Sequence, residues 1–220
     1  MPIAFEEWVQ TCFDHPFTEP EWFWGDGFDS LWESLGLSEL VAVNYLTRLF
    51  LEPQHLKPYS LKQVAQGIWF LVAETSPSQS SYALLRPYIA LRERLACIQS
   101  MTEFFRNFVA PAAPGPADTE SDEFHGVCYM WWDLLWHTFA SADGREGEPE
   151  LHQTCMEVMS AVLELPSELC RLSALHGLNH WHRDFREEVE QVIDAFLANA
   201  SDITPGISEY ASKARTGSCL

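Results

Sequence analysis

Apolar residues recur at steps of three and four along nearly the whole chain, and no segment alternates apolar with polar residues between turn signals. That pattern predicts an all-α fold without a sheet. A first helix is expected over residues 4–13, ending at Asp14-His15-Pro16, because proline disfavours helical backbone in the residue before it. Ser38 and Ser60 are suited to N-cap helices over 39–51 and 61–73. The short connection through Pro53 and Pro58 makes these two an antiparallel pair. From Tyr82 onward, Leu84, Tyr88, Leu91, Leu95, Ile98, Thr102, Phe105 and Val109 step by four and three, which predicts a long core helix whose regular part begins near Pro87. Residues 124–139 are apolar nearly all round and predict one central buried helix. Pro149 opens a helix that Pro166 stops, Ser167 and Glu168 start another through Trp181, and a further amphipathic helix covers 187–199. A last short helix is expected after Ile203.

Two stretches break the periodicity. PFTEPEWFWGDGF (16–28) reads as an ordered loop pinned by Trp22, Phe23 and Trp24. APAAPGPADTESD (110–122) is poor in apolar bulk and rich in proline and alanine, so 111–122 is expected to be a flexible loop. Neither separates two cores: a chain of 220 residues buries roughly 70% of its unfolded surface as one unit. A single helical domain over 1–220 is expected.

CRLSALHGLNHW (170–181), followed by EEVEQVIDAFLAN (187–199), resembles one HEAT-type repeat: a helix, a tight turn and a second amphipathic helix. VNYLTRLFLEP and LKPYSLKQVAQGIWFL, within 43–71, are similar to stretches of uncharacterised bacterial helical proteins. The resemblance implies antiparallel helical hairpins stacked in a HEAT-like arrangement, or in an irregular bundle, since the pairs keep no clean period. By analogy alone, it implies a protein-interaction role.

Composition narrows the partners. Thirteen basic residues stand against thirty-two acidic ones, a net charge of −19. Such a surface repels nucleic-acid phosphates and anionic membranes, and it favours a basic protein partner. The acids concentrate in residues 1–60, where ten face two basic residues, and again over 111–150, where nine acidic residues face one basic. If the fold brings Glu19, Glu21 and Asp26 together with Trp22 and Trp24, the result is an acidic patch with aromatic anchors, the residue types that dominate interface energetics. One concrete version is an immunity-type protein neutralising a cationic bacterial toxin. The six cysteines form no CxxC motif, and the opening MPIAFEEWV carries no basic and apolar leader, so reduced thiols and a cytoplasmic location are expected. Cys219 is expected to be exposed.

Motifs with strong mechanisms are missing: no phosphate loop, HExxH, GxSxG or EF-hand sequence occurs. One cluster remains. His176, His180 and Asp184 follow at successive spacings of four, with His182 close by, and two histidines at i and i+4 can bind zinc with a carboxylate completing an open site. A metal-dependent hydrolase is therefore the alternative to a non-enzymatic binding protein. Against it, a helix ending near Trp181 would splay His182 and Asp184 away. Asp133, inside an apolar helix, needs a partner of its own. An aromatic small-molecule pocket among Trp69, Trp131, Trp132 and Trp136 is a third reading.

Overall fold

The structure is a computed structural model that describes residues 3–24, 35–73, 76, 78, 80–115, 121–140, 149–200 and 202–219, with the side chains of 136–140 outside that set. Among the described residues every regular element is helical: α1 (Phe5–Phe13), α2 (Glu39–Leu51), α3 (Leu61–Val72), α4 (Leu91–Phe104), α5 (Asp122–Tyr129), α6 (Trp131–Ala140), α7 (Pro149–Leu163), α8 (Glu168–Trp181), α9 (Arg186–Asn199) and α10 (Pro205–Ala214). Short tight turns at Trp22–Trp24, Pro53–Leu56 and Ser80–Leu85 punctuate them. No helix among these residues is long and apolar enough to cross a membrane.

Capping chemistry explains the boundaries. The Ser38 hydroxyl accepts from the Val41 amide, and Ser167 from the Cys170 amide. Ser60 and Gln63 form a reciprocal capping box, each side chain satisfying the other's backbone amide. Thr204 caps α10, with Pro205 in its first turn.

Two expected helices are divided. The stripe from Tyr82 is not one helix: 80–85 is a 3-10 turn, and α4 begins at Leu91, past Pro87, whose ring cannot sit in a helix interior. Tyr88, assigned to the buried stripe by spacing, is 73% exposed. Beyond Phe104 the helix widens into a π turn over Phe105–Val109 and runs on through Ala112. The apolar run expected as one central helix breaks at Met130 (φ −80°, ψ 1°) into α5 and α6. It is central, as its composition demands. Trp131 is fully buried, its ring 5.6, 5.5 and 5.2 Å from those of Phe50, Phe104 and Phe105. Trp131 and Trp132 thus fill the core instead of lining a pocket, Trp69 is half-buried elsewhere, and the Trp136 side chain lies outside the described residues.

The core is one cluster running from α1 to α10. α8 is its hub, packing against α5, α6, α7, α9 and α10. Cys12, Cys97, Cys128, Cys155 and Cys170 are buried free thiols, and burial pushes the Cys97 thiol up to about 12. Cys219 is half-buried, not exposed: its amide donates to Asn179 Oδ1 at 3.0 Å, tying the C-terminal segment to α8.

Candidate metal centre

The first-built part of the site is the approach of α8 to α6. Gly177 makes it possible: a Cβ there would lie 2.5 Å from Trp132 Cγ and 2.6 Å from its Cβ. A side chain at 177 would hold the two helices apart, and Trp132 is immediately followed by Asp133. A second anchor fixes α8 against α5, where the Ser173 hydroxyl donates to the Cys128 carbonyl at 2.6 Å.

With the helices so placed, Asp133 of α6 meets His176 and His180, which share a face of α8 at a spacing of four. His176 Nε2 lies 2.9 Å from Asp133 Oδ2, and His180 Nε2 lies 3.0 Å from Asp133 Oδ1. The two Nε2 atoms are 3.3 Å apart. One nitrogen from each histidine and the carboxylate therefore converge on one point, a set able to hold a metal ion. A tetrahedral zinc site with bonds of about 2.0–2.1 Å has ligand atoms about 3.3 Å apart, so the pocket already has nearly the required size.

Protons alone satisfy this arrangement poorly. If both Nε2 atoms carry hydrogen for the carboxylate, two N–H groups crowd each other across 3.3 Å. Asp133 Oδ1, although close to His180, receives no aligned hydrogen bond among the described residues. Burial alone would raise the Asp133 carboxyl; the hydrogen bond with His176 and the proximity and charge of both imidazoles together outweigh burial and hold it down at about 2. The group is thus ionised, as a metal ligand must be.

An outer layer orients the ligands. His176 Nδ1 lies 3.0 Å from the Tyr210 hydroxyl of α10, which is 2.7 Å from the Tyr129 hydroxyl at the end of α5. The Tyr129 ring stacks on the His176 imidazole at 4.0 Å. Desolvation, and then the hydrogen bond with Tyr129, pushes the Tyr210 phenol well up, so it stays protonated. A phenol bonded to the far nitrogen of a ligating histidine sets its tautomer and ring plane. His176 is 4% exposed at its side chain, whereas His180 is 22% and Asp133 15% exposed, so one side of the set is open to solvent.

The residues expected from sequence are distributed as follows. His176 and His180 come together. Asp184 does not join them: α8 ends at Trp181, and Asp184 is exposed in the turn beyond it. His182 points elsewhere, 3.5 Å from Glu190 of α9. The carboxylate is Asp133, which the sequence marked only as a buried acid in need of a partner; its partners are histidines. In the other expected set, Trp22 is half-buried and stacked on His15 (centroids 3.7 Å apart), and Trp24 is 49% exposed. Glu19 is exposed and Glu21 half-buried, both at one cleft described below, while Asp26 lies outside the described residues. No protein-family model, curated protein or solved structure matches the chain.

Proposed function

We propose that the protein binds one divalent ion of the zinc class through Asp133, His176 and His180. The observation that carries this reading is the convergence of two imidazole nitrogens and a carboxylate, with Asp133 and His176 43 residues apart in sequence, at separations of 2.9, 3.0 and 3.3 Å. Two imidazoles and one carboxylate suit zinc and its neighbours better than calcium or magnesium, which prefer all-oxygen shells. Three protein ligands with a solvent-facing side leave a fourth position for water, and an ion so placed supplies a Lewis acid and a nucleophile near neutral pH. Metal-assisted hydrolysis is the reaction class this supports. The packing of α7 on α8 and of α8 on α9 supports stacked hairpins as the scaffold.

The test is metal uptake by the purified, chelator-stripped chain, read by elemental analysis and by the visible bands of cobalt substituted for zinc. One equivalent is expected, with His176→Ala, His180→Ala and Asp133→Ala each weakening uptake roughly tenfold or more, and Asp184→Asn leaving it unchanged. Substoichiometric uptake by the parent chain would remove the reading. Hydrolysis is assayed separately, with metal-loaded protein on activated ester and phosphate substrates.

A further inference from the structure

A cleft distinct from the metal centre lies between the loop carrying residues 17–21 and the helices α3 and α5. It encloses about 340 Å³. Phe17 and Trp69 supply aromatic walls, and Glu19, Glu21 and Glu123 stand around it. These acids come from two separate parts of the chain, the loop at 19–21 and the start of α5, so the fold brings Glu123 to the other two.

Acids around a hollow are ordinary on a protein of this charge; the polar atoms beneath them are not. Gln66 lines the cleft and is only 5% exposed. Its Nε2 donates to the Thr18 carbonyl at 2.6 Å, which fixes the amide orientation and leaves Oε1 as the free end. That Oε1 is buried with no hydrogen-bond partner among the described residues, and so is Glu123 Oε2. A buried acceptor without a donor is costly, and an occupant whose N–H groups reach these oxygens recovers that cost. The chain's own Lys62 shows what the rim accepts: its ammonium lies 3.6 Å from Glu123 Oε1 and 5.4 Å from the Phe17 ring centroid. With Lys62 counted against three glutamates, the rim keeps two negative charges.

We infer that this cleft receives the guanidinium side chain of an arginine presented by a basic polypeptide. A guanidinium has a flat face for Trp69 or Phe17, a fixed positive charge for the glutamates and five N–H donors for acceptors lying below. An ammonium would offer charge but no plane, and an apolar side chain would leave both buried oxygens unsatisfied. A polypeptide, in place of a free small cation, follows from the remainder of the surface, since a net charge of −19 adds long-range attraction for an extended basic chain.

The test uses the full chain, calorimetry and tryptophan fluorescence, with a blocked peptide of alternating arginine and glycine as probe. Saturable binding is expected, weakened roughly tenfold or more when citrulline replaces arginine, because citrulline keeps the shape and loses the charge. The paired change Glu19→Gln and Glu21→Gln, at positions that are not core, should weaken binding by a similar factor, and Asp133→Ala should leave it unchanged. Equal binding of the citrulline peptide, or unchanged binding by the Glu19/Glu21 variant, overturns the inference. Agmatine binding as tightly as the peptide overturns the polypeptide part, and no saturable binding of either probe overturns it whole.

Discussion

His152 on α7 packs edge-on against Trp181 and Phe185, with ring centroids 5.9 and 5.2 Å away. Desolvation lowers its affinity for a proton below that of a free imidazole, whose value is 6.5. The sign follows from comparing the two states. Above that value the side chain is neutral whether the protein is folded or not, and it contributes nothing to pH dependence. As pH falls below it, the unfolded chain binds a proton that the folded chain refuses, so stability declines. His152→Gln should therefore flatten the fall in unfolding free energy between about pH 7 and about pH 5. Urea melts of parent and variant across that range check it; since the chain carries seven further histidines, the difference between the curves is the readout, and parallel curves would refute the assignment. Elsewhere a buried charge is handled by pairing. The Arg171 guanidinium is held by Asp202 Oδ1 at 2.9 Å, the Asp202 carbonyl at 3.1 Å and the Leu163 carbonyl at 3.4 Å, which clips the end of α7 and the segment after α9 to α8.

At the level of the helices, the contact between α6 and α8 depends on one missing methyl group. Alanine is the better helix former by about 1 kcal/mol, so an exposed Gly177→Ala would stabilise. Here the new Cβ would lie 2.5 Å from the root of the fully buried Trp132, an atom that cannot swing aside. Overpacking costs about 1–3 kcal/mol against a propensity gain of about 1 kcal/mol, so a net loss of up to about 2 kcal/mol is expected in a denaturant melt. Because Trp132 adjoins Asp133, the same substitution should weaken metal uptake, whereas a change of similar cost far from this contact should not. Local signals explain why so many helix limits could be read in advance: Ser38, Ser60, Ser167 and Pro166 act within a few residues of themselves. The break at Met130 carries no proline or glycine at that position, and nothing local announces it. Likewise, His176 and His180 were legible because one helix sets their spacing. Asp133 as their partner was not, because that pairing is made by packing between two helices, and Asp184, four residues further along, satisfied the same local rule until the helix ended at Trp181.

For the whole molecule, the proposed metal centre would be thermodynamically linked to the hub helix. α8 contacts five other helices and carries both histidines. An ion that binds only when α6 and α8 are assembled stabilises the fold by RT ln(1 + [M]/Kd), which reaches about 2.7 kcal/mol at a hundredfold excess over the dissociation constant. Zinc should accordingly raise the midpoint of thermal unfolding of the chelator-stripped chain in a concentration-dependent way, the shift continuing to grow with the logarithm of zinc concentration after the site is saturated. A chain this acidic also attracts divalent ions loosely over its surface, and that contribution behaves differently: it is spread over many carboxylates, fades as salt screens them, and is shared by magnesium. The two are separated by measuring the zinc shift in high salt with excess magnesium present, for the parent chain and for His180→Ala. A shift that persists in the parent and disappears in the variant places the stabilisation at the convergent ligands, through the side chain that is more exposed and less embedded in the core than His176. A shift of equal size in both proteins would mean that the ion acts on the general negative field, and the centre between α6 and α8 would then be a hydrogen-bonded cluster in the core.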